Sequence, residues 1–335
     1  MSLVFKYMGD INRFINKYAD PRTSHLPLIS SPFYTLGICI SYVIIVKYIG
    51  PKLMENRKPL NLKNTLIFYN FLQVLLSAYI FYEIGAVGWL TGRYSYRCEP
   101  VDYSNSPNAL RAIRACYMYY LSKFTEFIDT LFFVLRKKND QISTLHVIHH
   151  GIMPMSVWFG VKFTPGGHSM FFGFLNTFVH IVMYTYYMLS ACGPSVQKYL
   201  WWKKYLTTMQ MVQFVAIVVH AFQLLFIDCN YPRAFVWWIG MHGILFFFLF
   251  KQFYEESYLK RSKGAAALAA TAAAAQNKEK NGKKHEPKEK PTTNGHVKNG
   301  YQNGVQNGVV KEKNGVHQRQ TARDYYINSN GDTKY

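Results

Sequence analysis

The sequence predicts an all-α membrane protein of seven spanning helices with a soluble basic tail. Three observations lead there. Half of the 335 residues are hydrophobic and only 17% are charged, against about 25% charged in an ordinary soluble domain. The charge is uneven, gathered in short connectors and in the last quarter of the chain. Apolar runs long enough to cross roughly 30 Å of hydrocarbon recur near 32–49, 65–88, 113–135, 145–162, 169–191, 205–227 and 234–255.

The elements follow in order. Residues 1–28 form an N-terminal segment whose MSLVFKYMGDINRFINKYADPR mixes charge with apolar residues. Without an uninterrupted apolar core it does not read as a signal peptide, so insertion relies on the first span. Residues 29–258 hold the seven-helix domain. Its connectors are short apart from 50–64 and 89–112, so consecutive spans are expected to pack as neighbours. Lys52, Arg57, Lys58 and Lys63 follow span one. Arg136, Lys137 and Lys138 follow span three, and Lys198, Lys203 and Lys204 follow span five. By the positive-inside rule these loops and the tail are cytosolic and the N-terminus is lumenal. Arg93, Arg97, Arg111 and Arg114 in the second connector oppose that reading, partly offset by Glu99 and Asp102.

Residues 259–335 are low in complexity. AAALAATAAAA (265–275) suits a short helix, and repeated Asn-Gly units follow it. Such a composition buries no core, so this basic tail is expected to be disordered. The chain's net charge of +20 does not indicate nucleic acid binding, because no basic patch falls on a compact soluble domain. Of the five cysteines, Cys98 and Cys229 fall in lumenal loops. They are either a disulfide or two free thiols.

Four spans carry polar stripes. LHVIHH (145–150) places His146, His149 and His150 on one helical face. KFTEFIDT (123–130) aligns Lys123, Glu126 and Thr130, with Asp129 at the edge and Lys123 able to pair with Glu126. NTFVHIVMYTYY (176–187) aligns Asn176, His180, Tyr184 and Tyr187. TTMQMVQ (207–213) steps through Thr207, Gln210 and Gln213. Ionisable groups within spans face a bundle interior or a wet cavity and mark function. Four stripes in the cytosolic halves of their helices imply a polar chamber open to the cytosol, continuing into an apolar tunnel suited to an amphiphile.

Several chemistries fit the histidines. HxxHH can chelate a metal, as in a di-iron desaturase, but no second HxxH or HxxxH box occurs and no HExxH is present. A neutral imidazole can also move protons or attack a thioester carbonyl. A seven-span receptor or transporter is the non-enzymatic alternative. His220 and His242 read as packed histidines with local partners, His25 and His168 as interfacial, and Trp201–Trp202 as a membrane-interface pair.

KFTEFIDT, LHVIHH, NTFVHIVMYTYY and TTMQMVQ, in this order on successive spans, resemble the ELO family of very-long-chain fatty acid elongases. The resemblance covers about 25–260. It implies an endoplasmic reticulum membrane protein in which six of seven helices form a barrel around a closed acyl tunnel. The implied reaction is the condensing step, acyl-CoA plus malonyl-CoA giving 3-oxoacyl-CoA, CoA and carbon dioxide, with no bound cofactor or metal. It further implies His149 as nucleophile, His180 assisting, Asn176 and Gln210 as oxyanion donors, and His146 and His150 as orienting or acid–base groups. Lys123, Glu126, Asp129, Thr130, Tyr184, Tyr187 and Gln213 would shape the site, and Lys137, Lys138, Lys203 and Lys204 would attract the CoA phosphates. The expected partners are membrane lipid and the reductases and dehydratase of the elongation cycle, and a homodimer fits the family.

Overall fold

The computed structural model describes residues 2–260 and Thr271. Described residues up to Glu255 form one compact unit, and those after it belong to a second. The Ala-rich helix and the Asn-Gly repeats expected in the tail lie outside the described residues, Thr271 apart. Every regular element among the described residues is helical.

The N-terminal segment is itself a helix, α1 (Ser2–Tyr18). Helix α2 (Pro32–Ile44) starts on Ser31, whose Oγ accepts the Phe33 N–H at 3.4 Å. Pro32 follows at the first helical position, where a missing N–H costs nothing. A π-helical turn, Ile45–Ile49, carries α2 on into Gly50–Met54. Helix α3 spans Lys63–Val87. Helix α4 (Pro107–Thr125) opens on a second Ser-Pro pair, Ser106 Oγ accepting the Ala109 N–H at 3.1 Å. Next come α5 (Phe127–Leu135), α6 (Thr144–Phe163), α7 (Met170–Ala191), α8 (Lys203–Phe222) and α9 (Arg233–Tyr254).

Two expectations for the third span change. It begins at Pro107, not 113, and it breaks at Glu126 into α4 and α5. The early start was hidden by Arg111, which reads as a loop charge. Arg111 instead sits on α4 and donates twice to Glu83 of α3, at 2.8 and 2.9 Å. An arginine forked onto a carboxylate is at home on a helix flank.

Among the described residues, four helical stretches are long and apolar enough to cross a membrane: Pro32–Met54, Lys63–Val87, Lys203–Leu225 and Arg233–Leu259. The chain is thus a multi-pass membrane protein. Helices α4–α5, α6 and α7 carry three of the four polar stripes read above, and those residues lower their hydropathy; the fourth stripe lies on the Lys203–Leu225 stretch.

Helix α3 packs on α4 and α7, α7 on α8, α8 on α9, α9 on α6, and α6 on α4. Helix α2 packs on α6, and its continuation Gly50–Met54 packs on α5. Apolar side chains fill the joints. Met153, Phe214, Ile217 and Phe246 form one cluster between α6, α8 and α9.

The connector after α3 is stitched to the connector between α8 and α9 by a disulfide between Cys98 and Cys229. The turn between α6 and α7 docks on the same connector, the His168 N–H donating to the Glu99 carbonyl at 2.7 Å. Gly167 in that turn has φ +63°, and a Cβ there would meet the Glu99 and Pro100 carbonyl oxygens at 2.8 Å. Asp102 accepts from Ser104 and Ser106. The Ser104 bonds, chiefly, hold its carboxyl below the usual carboxylate range.

Candidate active site

The site is built around the break at Glu126. Glu126 caps the end of α4 and precedes α5, so its side chain leaves the helical ladder where two axes meet. It is 2% exposed. Lys123, one turn earlier, donates to Glu126 Oε1 at 2.6 Å. His180 of α7 brings Nδ1 to 3.3 Å from the same oxygen, and His150 of α6 brings Nδ1 to 4.0 Å from Oε2. One carboxylate thereby gathers groups from three helices. Burying a charge requires that kind of pairing.

Asn176 joins the network through its oxygen. Asn176 Oδ1 accepts from Tyr119 at 2.7 Å and from Lys123 at 3.2 Å. With the oxygen so engaged, the amide nitrogen is left to donate elsewhere. The Lys123 ammonium also lies 4.5 Å from the Tyr119 ring centre. Asp129, one turn beyond Glu126, accepts from Tyr184 of α7 at 2.8 Å, and its other oxygen is buried without a partner.

The histidine helix starts on Ser143, whose Oγ accepts the His146 N–H at 3.2 Å. His146 Nε2 meets Thr130 Oγ1 at 2.8 Å, and the same hydroxyl meets Tyr42 of α2 at 2.9 Å. The His146 and His150 rings lie 4.4 Å apart, those of His149 and His150 5.4 Å. His149 differs from its neighbours. Its ring leans edge-on against Phe246 of α9 at 4.8 Å, and its Nδ1 is buried with no hydrogen-bond partner. Pro154, one turn beyond His150, has no N–H to give the His150 carbonyl.

His146, His149, His150, His180, Asn176, Lys123, Glu126, Asp129, Thr130 and Tyr184 are therefore brought together. Tyr187 stands at the edge, its ring 6.0 Å from that of Tyr184. Gln210 and Gln213 of α8 are placed apart from the carboxylate. Gln210 donates to the Met183 sulfur at 3.5 Å, and Gln213 is buried with its carbonyl oxygen unpartnered. The four lysines lie at helix ends outside this network. Lys137 donates to the Glu55 carbonyl at 2.8 Å, Lys138 adjoins it after α5, and Lys203 and Lys204 open α8, Lys204 lying over the Tyr205 ring.

The depth differs from the expectation of cytosolic halves. In a helix of 22 residues, Asn176 is the seventh and His180 the eleventh. The site thus reaches the middle of α7 and passes it toward the disulfide end. His168 also departs from its reading as interfacial. It is buried, bonded to the His220 carbonyl at 2.8 Å and stacked on the His220 ring at 3.9 Å. The contacts of that turn with the Cys98 connector cover it, and no local pattern announces them. His242 has one expected local partner, the Trp238 carbonyl, and a second on another helix, Ser156 of α6.

Two sets of residues escaped the sequence reading. Tyr119, one turn before Lys123, is one aromatic among many in the sequence. Asn70, Gln73 and Ser77 form a buried polar stripe on α3 at spacings of three and four, a signal present but unused. Gln73 donates to Tyr69 and to Thr125, each at 3.0 Å, and Tyr69 donates to the Thr125 carbonyl at 3.0 Å. Together they hold the residue just before Glu126. Among the described residues, no three or more His, Cys, Asp or Glu side chains group so as to hold a metal ion.

Comparison with known proteins names the arrangement. The ELO family model (GNS1/SUR4 family) matches residues 27–266. A very long chain fatty acid elongase of Aedes aegypti is 68% identical over 271 residues, 80% of this chain and 76% of its own. Very long chain fatty acid elongase 7 of Drosophila melanogaster is 65% identical over 244 residues, covering 72% and 74%. Human very long chain fatty acid elongase 1 is 47% identical over 256 residues, covering 76% and 91%. With the family model spanning most of the chain and the four motifs meeting around one carboxylate, the chain belongs to the ELO family of very-long-chain fatty acid elongases.

Proposed function

We propose that the chain is the condensing enzyme of elongation, a 3-oxoacyl-CoA synthase acting through an acyl-histidine. The observation that carries this reading is the contrast among the histidines. His146 is tied to Thr130, and His180 and His150 face Glu126, whereas His149 presents an imidazole whose Nδ1 has no partner. A nucleophile needs a free lone pair, and its neighbours need fixed positions.

In the first half-reaction an imidazole nitrogen of His149 attacks the acyl thioester carbonyl. The bond to sulfur breaks, and CoA leaves as thiolate and takes up the proton lost from the ring. In the second, malonyl-CoA loses carbon dioxide. The resulting enolate carbon attacks the acyl-imidazole, forms the new carbon–carbon bond and expels the His149 imidazolate, which takes up one proton from solvent to restore the neutral ring. In this reading the Asn176 amide and His180 stabilise the oxyanion and enolate. Glu126 and Lys123 hold those two groups in position. No bound cofactor enters this scheme.

The succession of helix neighbours from α3 through α4, α6, α9, α8 and α7 back to α3 supports a six-helix barrel. With α2 outside it, that barrel would enclose the acyl tunnel. The basic connectors and the Cys98–Cys229 disulfide at the other end support a cytosolic mouth, a lumenal N-terminus and residence in the endoplasmic reticulum. There the reductases and dehydratase of the cycle would take the product onward.

The test is condensation in membranes containing the protein, with labelled malonyl-CoA and a panel of long-chain acyl-CoAs, beside an equally abundant His149→Ala variant. Label in 3-oxoacyl product from the parent and none from the variant is expected. Product that survives in the variant would remove His149 as nucleophile. Absence of product from the folded parent would remove the condensing reaction.

A further inference from the structure

Helix α1 has three faces. Met8, Asn12, Ile15 and Ala19, at helical spacing, are half-buried, and Ile15 packs on the cluster of Ile29, Tyr120, Trp158 and Val161. Lys6, Asp10, Arg13 and Lys17 form a second stripe, in which Arg13 pairs with Asp10. Between these two faces runs a third, Tyr7, Ile11, Phe14 and Tyr18, every residue exposed. Phe14 meets Tyr18 edge-on at 5.2 Å, and the Lys17 ammonium lies 5.6 Å from the Tyr18 ring centre. A helix that touched only water would have no reason to keep an apolar stripe on its outer side.

The position of α1 in the fold says what covers that stripe. Just past its end, the Asp20 N–H donates to the Lys162 carbonyl at 2.9 Å, in the last turn of α6. Arg22 reaches the Asp102 carbonyl at 3.1 Å and the Ser104 carbonyl, in the connector that carries Cys98. The helix therefore leaves the body at the level where α6 ends. A short turn later the chain enters the candidate span Pro32–Met54, whose Tyr34, Leu36, Ile40 and Ile44 are exposed. The stripe on α1 thus lies one short connector before an exposed apolar surface on a candidate span. Its flanking face bears three basic groups and one acidic group, which complements phospholipid headgroups.

We propose that α1 is an interfacial anchor, lying along the bilayer surface at the disulfide end of the molecule. Tyr7, Ile11, Phe14 and Tyr18 enter the acyl boundary, and Lys6, Arg13 and Lys17 meet the lipid phosphates. Amphipathic helices of this kind sink their apolar face about 5–10 Å into the headgroup boundary, and aromatic rings favour that depth. The occupant is phospholipid and not a second copy of the chain, because a like copy would oppose one basic stripe to another.

The experiment uses the full chain in phosphatidylcholine–phosphatidylserine vesicles. Ile11→Cys, Phe14→Cys, Lys6→Cys and Arg13→Cys variants each carry an environment-sensitive fluorophore, with the labelled parent as blank for its own thiols. Labels at 11 and 14 are expected to emit to the blue and to lose intensity to nitroxide lipids. Labels at 6 and 13 are expected to lose it to aqueous iodide. Equal iodide access at all four sites would overturn the proposal. So would a blue shift at 11 and 14 that disappears when each protein is diluted with more lipid, since that dependence marks a second copy. A Tyr18→Cys label read in an Ile11→Asp, Phe14→Asp background should move into water. If it stays in lipid, the stripe is not the anchor.

Discussion

At the scale of single residues, the site turns on a buried charge pair. Lys123 and Glu126 are each 2% exposed, so each depends on the other to offset its desolvation. Removing one partner of such a pair costs about 3–5 kcal/mol, whereas replacing both with apolar residues is often neutral. Glu126→Ala is therefore expected to lose stability in that range and all activity. A Lys123→Met, Glu126→Leu double variant should regain most of the stability and none of the activity. Thermal unfolding in detergent, beside the condensation assay, checks both. A double variant as unstable as the single one would mean that the pair is not where the cost lies. Thr130 is the other single-residue hinge of the site, one hydroxyl shared between His146 and Tyr42.

At the scale of elements, breaks and turns position the chemistry. Glu126 reaches three helices because α4 ends before it, and Tyr69 and Gln73 of α3 clamp the residue at that break. The turn carrying Gly167 plays the corresponding part at the far end. A side chain there faces a left-handed backbone, costing about 1–2 kcal/mol, and a Cβ within 2.8 Å of two backbone oxygens that cannot swing aside. Gly167→Ala should lower the unfolding temperature by more than the conformational cost alone. Gly92→Ala, also at positive φ but with open space around it, should show the conformational cost only. Equal losses in the two variants would mean that the docking of this turn on Glu99 and Pro100 does not matter.

For the whole molecule, the Cys98–Cys229 bridge closes a loop of 131 residues. A crosslink over a long loop contributes on the order of 2–4 kcal/mol, chiefly by restricting the unfolded chain. A Cys98→Ser, Cys229→Ser variant is expected to unfold at lower temperature, while its folded fraction keeps its elongase activity. The reason is distance along the fold. The bridge ties connectors at one end, and no residue of the Glu126 network lies in either. Loss of activity from a folded double-serine variant would show that the bridge shapes the site directly.

Much was legible in the chain because a membrane makes sequence speak plainly. Hydrocarbon tolerates polar side chains only where they are partnered, so helices, connectors and the four stripes stand out from residue type and spacing alone. The pairing of Lys123 with Glu126 was legible too, being local to one helix. What spacing left undecided is everything that depends on contact between helices. That includes which carboxylate gathers His180 and His150, which hydroxyl holds His146, and that Nδ1 of His149 is buried without a partner. It also includes the break at Glu126, the burial of His168 and the pairing of Arg111 with Glu83. Each of these is set by a residue far along the chain, and a one-dimensional pattern carries no record of which faces will meet.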